Sequence, residues 1–116
     1  MLKRIVFSAL GGIVISGAVA GAQAPDPAKV AAGKIVFEET KCTKCHGDGG
    51  VGDKNGKQVL VGIYPKTSAA DIRKWITSPA EMTAKLPKKP KEPMKKFDLT
   101  DKQVDDLVAY VQSLKT

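Results

Sequence analysis

Cysteine and histidine are scarce in this chain, and their scarcity limits the metal chemistry that it can support. The 116 residues include two cysteines and one histidine, at Cys42, Cys45 and His46. A closed structural zinc site takes about four Cys or His ligands, so these residues cannot complete one. A thioredoxin-type C-x-x-C would need a βαβ pattern, and no strand-like alternation flanks the cysteines. A disulfide between them would close a very small loop and leave His46 without a role.

Convincing strands, internal repeats and signs of a second domain are also missing. The chain therefore predicts one all-α domain. Acidic residues are outnumbered, 12 against 19 lysines and arginines, which gives a formal charge of +7 at pH 7. An excess of positive charge favours partners that carry negative charge.

The cysteines and the histidine form one motif, Cys42-Thr43-Lys44-Cys45-His46. C-x-x-C followed directly by His is the attachment signature of a c-type haem. On a helical turn, residues three positions apart lie on one face, so each sulfur can form a thioether with one porphyrin vinyl group. The motif predicts one covalent haem c, with His46 beneath the iron as its proximal ligand.

The N-terminus has the pattern of an export signal. Lys3 and Arg4 precede an uncharged apolar run over 5–20, and Ala22-Gln23-Ala24 is a small-residue cleavage site. We expect a secretory signal peptide over 1–24 to be removed, leaving 25–116 as a periplasmic domain without a membrane span. An uncleaved anchor is the alternative, because the uncharged stretch approaches the roughly 20 residues that a spanning helix needs.

Capping signals predict three main helices around the haem. Asp26 before Pro27 predicts the start of a helix that runs into the haem motif. Glycines after the motif break regular structure. Ser68, with Asp71 three residues on, resembles a capping box and predicts a second helix, which should stop before Pro79.

The last helix has the clearest local signals. Thr100 and Gln103 form a T-x-x-Q capping box, and Leu99 and Val104 occupy the positions of a hydrophobic staple. Apolar residues then recur at helical spacing, which predicts one buried face. The residues of that face are Val104, Leu107, Val108, Val111 and Leu114.

The chain resembles the class I, or mitochondrial-type, cytochromes c. The resemblance covers most of 28–114 through G-K-x-x-F, C-x-x-C-H, W-I-T-S-P, P-M-K-K-F and D-L-V-A-Y-V. It implies the cytochrome c fold, in which the first and last helices cross at close range. The matching residues are Gly33 and Phe37 on one helix and Leu107 and Tyr110 on the other. Glycine fits such a crossing because its missing Cβ lets two helix axes approach.

The resemblance also implies the distal ligand of the iron. The family supplies a methionine just before the last helix, and Met94 in P-M-K-K-F matches that position. Met82 is the alternative, although methionine more often fills core space. A thioether favours reduced iron, so a His46/Met94 pair implies a raised reduction potential and leaves no open coordination site.

Three further contacts around the haem are expected. Trp75 matches an aromatic that the family places beside the haem, with plain core packing as the alternative. Tyr64 is a candidate to reach a haem propionate. The second ring nitrogen of His46 should donate to a backbone carbonyl. The family takes that carbonyl from a proline-containing loop, and the counterpart here, 56–62, has no proline.

Lysines crowd the segment around Met94. They are Lys85, Lys88, Lys89, Lys91, Lys95 and Lys96. Such a patch would surround the haem crevice and steer an acidic redox protein toward it. An ordinary solvated loop is the alternative. Nucleic acid is not expected as the partner of an exported haem protein.

Together these features predict an exported, monomeric, monohaem cytochrome that carries single electrons between larger redox proteins and is not itself an enzyme. The alternative is the cytochrome subunit of an exported dehydrogenase complex. A haem sensor or peroxidase-like protein is disfavoured, because the sequence has no additional domain and no distal histidine.

Overall fold

A computed structural model describes residues 24–115, so the predicted export signal over 1–24 lies outside it except for its last residue. The helices are α1 (Pro27–Glu39), α2 (Thr43–His46), α3 (Ala69–Thr77), α4 (Pro79–Ala84) and α5 (Asp101–Ser113), with a short 3₁₀ turn at Asp48–Gly50. No strand occurs within 24–115. The all-α prediction is confirmed. None of the helices in this range is long and apolar enough to cross a bilayer.

Helix α1 begins where its cap predicts. The Asp26 carboxylate accepts a hydrogen bond from the backbone N–H of Ala28, with a separation of 2.8 Å. Pro27 occupies the first helical position, where a backbone N–H would have no partner within the helix, so proline loses no hydrogen bond there.

The end of α1 differs from the prediction, because the helix does not run into the haem motif. It stops at Glu39, and Lys41 adopts a left-handed φ of 60°. The N–H of Cys42 donates to the Phe37 carbonyl at 3.0 Å, and that of Lys41 donates to the Glu38 carbonyl at 3.1 Å. These two bonds form a Schellman motif, which glycine usually closes. A separate turn of helix, α2, then carries the haem motif.

Helices α1 and α5 cross at Gly33, as predicted. A Cβ added to Gly33 would overlap the backbone carbonyl of Asp106 and lie 2.8 Å from Cβ of Tyr110. One turn further along α1, Phe37 is 1% exposed, and its ring centroid lies 5.2 Å from that of Tyr110. This close crossing places the first and last helices in one shared core.

Helix α5 confirms its predicted cap and its buried face. The Thr100 hydroxyl accepts from the Gln103 N–H at 3.1 Å, and the Gln103 side chain accepts from the Thr100 N–H at 2.9 Å. Leu99 packs against the core. The core consists of Val36, Phe37, Ile72, Ile76, Val104, Leu107, Val108, Tyr110 and Val111.

Helix α3 begins at its predicted cap, where the Ser68 hydroxyl accepts from the Asp71 N–H at 3.2 Å. It also ends before Pro79, but that proline starts a further helix, α4, which was not predicted. Proline is well suited to a first helical position because the N–H that it lacks has no partner there. Met82, the alternative distal ligand, therefore lies on α4, beyond the end of α3.

A polar contact joins α3 to α5. The Arg73 guanidinium pairs with the Asp105 carboxylate, while Ile72 and Ile76 on α3 lie in the shared core. Between α4 and α5, residues 85–100 have no regular helix or strand.

Candidate cofactor site

The haem motif lies on a single turn of helix. Cys42 is the N-cap of α2, and Cys45 and His46 belong to the helix itself. The His46 N–H donates to the Cys42 carbonyl at 3.0 Å. Both cysteines are free thiols, Cys42 half-buried against the core and Cys45 exposed. The turn therefore presents two unpaired sulfurs and an imidazole within one short segment.

The thiols do not form a metal site by themselves. Burial raises the pKa of the Cys42 thiol from its ordinary value; a backbone hydrogen bond opposes this rise, and Cys45 adds to it. Among residues 24–115, no group of three or more Cys, His, Asp or Glu side chains could hold a metal ion.

The His46 imidazole is fixed by a backbone carbonyl. Its Nδ1 donates to the carbonyl oxygen of Gln58, 2.7 Å away. Gln58 lies in the 56–62 loop in which an acceptor was expected, although no proline marked the position. A proton held on Nδ1 leaves Nε2 with its lone pair free, which is the form of the ring that binds iron.

Four apolar side chains that lie between the motif and α5 in the sequence are only partly covered by the protein. Trp75, Met82, Met94 and Phe97 are half-buried, yet none belongs to the core cluster of the described residues or packs against it. Tyr64 does pack against that cluster. Trp75, Met82, Met94 and Phe97 therefore keep apolar surface that a flat hydrophobic group could cover.

A polar residue that the sequence analysis missed is Thr83 on α4. Thr83 is 9% exposed, and its hydroxyl has no hydrogen-bond partner within the described part of the chain. Leaving a buried hydroxyl unsatisfied costs about 1–3 kcal/mol, so Thr83 is suited to binding a polar group that lies outside the described residues. A lone threonine carries no motif, so only its burial could identify it.

These observations fit a covalently attached haem. Two free thiols and an imidazole of fixed tautomer are the donor set that c-type attachment requires. The partly covered apolar side chains suit a porphyrin face, and the unpartnered hydroxyl of Thr83 suits a polar substituent of the ring.

All six lysines of the segment around Met94 are exposed. Lys85 pairs with Glu81 across the surface of α4 at 3.8 Å. Both side chains are more than half exposed, so this pair contributes little to stability. The lysines therefore present a positive surface to solvent.

Comparison with known proteins gives two matches. The family model for cytochrome c matches residues 30–115. Cytochrome c oxidase subunit 2 of Alkalihalophilus pseudofirmus is 27% identical over 111 residues, covering 87% of this chain and 30% of that relative. The chain thus spans less than a third of the length of this curated relative. No solved structure matches the chain.

Proposed function

We propose, from the premise that this chain belongs to the cytochrome c family, that it is an exported carrier of single electrons between larger redox proteins. Haem-based electron transfer is the chemistry of that family. The observation that carries the proposal is the turn holding Cys42, Cys45 and His46, with the Nδ1 of His46 bonded to Gln58 at 2.7 Å. A bound haem would supply a one-electron iron couple.

The protein's own residues would hold the cofactor and fix its ligands. Cys42 and Cys45 would each add their S–H across a vinyl group and so form the two thioether bonds. His46 would bind the iron through Nε2, while Gln58 holds the ring in one orientation. A ligand that does not rotate lets the electron move with little rearrangement of the protein.

Met94 is the proposed distal ligand. It is half-buried in the irregular segment 85–100, whose backbone is not committed to a helix, whereas Met82 is held on α4. The thioether of Met94 would stabilise the reduced iron and raise the reduction potential. It would also fill the last coordination position.

Replacement of Met94 tests this assignment. In Met94→Ala we expect loss of the weak sulfur-to-iron absorption band of the oxidised protein, a lower potential, and binding of carbon monoxide by the reduced haem. Met82→Ala is the matched control and should leave all three properties nearly unchanged. The opposite pattern would assign the ligand to Met82.

Intact mass spectrometry tests attachment and export together. The protein recovered after export should begin at Pro25 and carry the mass of one haem that denaturing extraction does not remove. A mass without the haem would exclude covalent attachment. A mass that retains residues 1–24 would exclude cleavage at Ala24.

The second candidate function is a cytochrome subunit of a larger exported redox enzyme. The likeness to an oxidase subunit about three times as long favours it, since the matched part covers 30% of that protein. Purification from the native source separates the two candidates. A subunit would elute with a larger protein at constant stoichiometry, whereas a free carrier would elute alone as a monomer.

The partner of a free carrier would be an acidic redox protein. The support for this is the exposed lysine set over 85–96, which brackets Met94 in the sequence. Positive charge close to the haem crevice would orient an acidic partner before contact and speed association.

A further inference from the structure

A hydrogen-bonded turn over 53–57 ends directly before Gln58. The Oδ1 of Asp53 accepts from the N–H groups of Asn55 at 2.8 Å and Lys57 at 2.9 Å. The Asp53 N–H also donates to the Lys57 carbonyl at 2.8 Å. Asp53 therefore holds Lys57 through its side chain and its backbone, and Lys57 is joined by a peptide bond to Gln58.

Gln58 needs this restraint because its backbone is strained. Its φ is 60°, in the left-handed region that glycine adopts easily and other residues adopt at a cost in free energy. In this conformation the Gln58 carbonyl reaches Nδ1 of His46 at 2.7 Å. If Lys57 were released, the backbone of Gln58 could return to a more favourable φ and lose that bond.

The loop is also fixed on both sides of the turn. The Gly52 N–H donates to the His46 carbonyl at 2.7 Å, and the Leu60 N–H donates to the Gly50 carbonyl at 2.8 Å. Between these anchors, Asp53 supplies the side chain that closes the turn.

We infer that Asp53 is a positioning residue for the proximal ligand, holding the Gln58 carbonyl on His46 and so setting how strongly the imidazole donates to iron. The inference rests on the proposed role of His46 as the proximal ligand. A hydrogen bond accepted from Nδ1 makes the other ring nitrogen more basic. A more basic ligand favours oxidised iron, so the intact turn lowers the potential and its loss raises the potential.

Four variants of the haem-loaded protein separate this effect from the effect of charge. Asp53→Ala removes the charge and the acceptor, whereas Asp53→Asn removes the charge and keeps a neutral acceptor oxygen. Asp48→Ala and Asp48→Asn are the controls, because Asp48 is an exposed carboxylate in the same loop and takes no part in the bonds that close the turn.

Two quantities are measured, the reduction potential and the rate at which the Nδ1 proton of His46 exchanges with solvent in the reduced protein, followed by NMR. Asp53→Ala should speed exchange about tenfold, because it loses two hydrogen bonds of the turn. Its potential should rise more than that of Asp48→Ala. Asp53→Asn should show smaller shifts in the same direction, since bonds to a neutral acceptor are weaker than bonds to a carboxylate.

Equal exchange rates in the Asp53 and Asp48 variants, or equal potential shifts in Asp53→Ala and Asp53→Asn, would overturn the role of Asp53. If Asp53→Ala does not accumulate, faster exchange in Asp53→Asn than in Asp48→Asn is the deciding comparison. Failure of the proposed function has a different signature: the ring protons of His46 in the unaltered protein would lack the large shift that a bound haem causes. Shifted ring protons with exchange insensitive to Asp53 would remove the positioning role alone.

Discussion

Single residues at the site differ in whether the protein itself satisfies their polar groups. The ring N–H of His46 has the Gln58 carbonyl, whereas the buried hydroxyl of Thr83 has no partner within the described residues. An unsatisfied buried hydroxyl destabilises a fold, so its presence on α4 is explained if the bound haem supplies the missing partner.

Thr83→Val tests that explanation. Valine keeps the shape and removes the hydroxyl, so the free energy of unfolding of the haem-loaded protein should fall by about 1 kcal/mol. Denaturant unfolding followed by haem absorbance measures the change. Thr77→Val is the control for a hydroxyl with a known partner, the Arg73 carbonyl at 2.9 Å. A more stable Thr83→Val protein would show that the hydroxyl has no partner even with haem bound.

Tyr110 predicts a pH dependence. Burial raises the pKa of its phenol, and the charge of Glu38 adds to the rise. The unfolded chain therefore ionises first, near the ordinary tyrosine pKa of about 10. The contribution to stability is complete below that pH and is lost as pH rises through the folded pKa.

Tyr110→Phe removes this ionisation and keeps the aromatic ring that packs on Phe37. We expect the variant to lose less thermal stability than the unaltered protein between about pH 8 and about pH 11. Circular dichroism melts of the reduced protein at the two pH values measure the difference. The same loss in both proteins would contradict the assignment.

At the scale of helices and loops, the starts of α1, α3 and α5 could be predicted, whereas the end of α1 and the presence of α4 could not. Asp26, Ser68 and Thr100 each place a side-chain oxygen on nearby backbone N–H groups, and that chemistry can be identified from residue types alone. Helix α1 is terminated by backbone hydrogen bonds around Lys41, which occupies the left-handed position where a glycine would usually signal the end of a helix. Backbone chemistry of this kind leaves no pattern in the sequence.

At the cofactor site, too, side-chain groups could be predicted from residue types and backbone groups could not. The motif predicts His46 because its ring is a distinctive chemical group. Every residue of the loop has the same backbone carbonyl, so the choice of Gln58 within 56–62 depends on the path of the loop. Thr83 was missed because burial, not residue type, makes its hydroxyl unusual.

Lys41→Gly should stabilise the protein. Lys41 holds a φ of 60°, a conformation that costs an L-residue roughly 1–2 kcal/mol and costs glycine almost nothing. Part of this gain is lost to the greater freedom of glycine in the unfolded chain, so we expect a net gain of about 0.5–1 kcal/mol. Denaturant unfolding measures it.

Lys34→Gly is the matched control for Lys41→Gly. It removes the same charge from an exposed position inside α1, where glycine should cost about 1 kcal/mol. Destabilisation by both substitutions would mean that Lys41 is not held in the left-handed conformation in solution.

For the whole molecule, the distribution of charge predicts how it meets a partner. The lysines of 85–96 are exposed together, while the overall charge of the chain is +7 at pH 7. Salt screens exposed charges beyond a Debye length of about 8 Å at physiological ionic strength. The rate of reduction by an acidic redox protein should therefore fall steeply as salt is added.

Changing several of these lysines to glutamate should slow association by about 10- to 1000-fold while the potential barely moves. Stopped-flow kinetics and a redox titration measure the two quantities. The residues to change are Lys88, Lys89, Lys91, Lys95 and Lys96. Glutamate at Lys29 and Lys34 on α1 is the control, because it alters net charge away from that segment. Equal slowing per charge at both places would show that overall charge alone governs association.

The crossing of α1 and α5 at Gly33 also brings together segments from opposite ends of the described chain. Cys42 is covered partly by a core to which Leu107 and Val111 on the last helix contribute, and synthesis delivers those residues late. Contacts between segments so far apart in sequence form slowly. The half-buried thiol of Cys42 is therefore more accessible before the last helix docks, and we expect haem to be attached before that step.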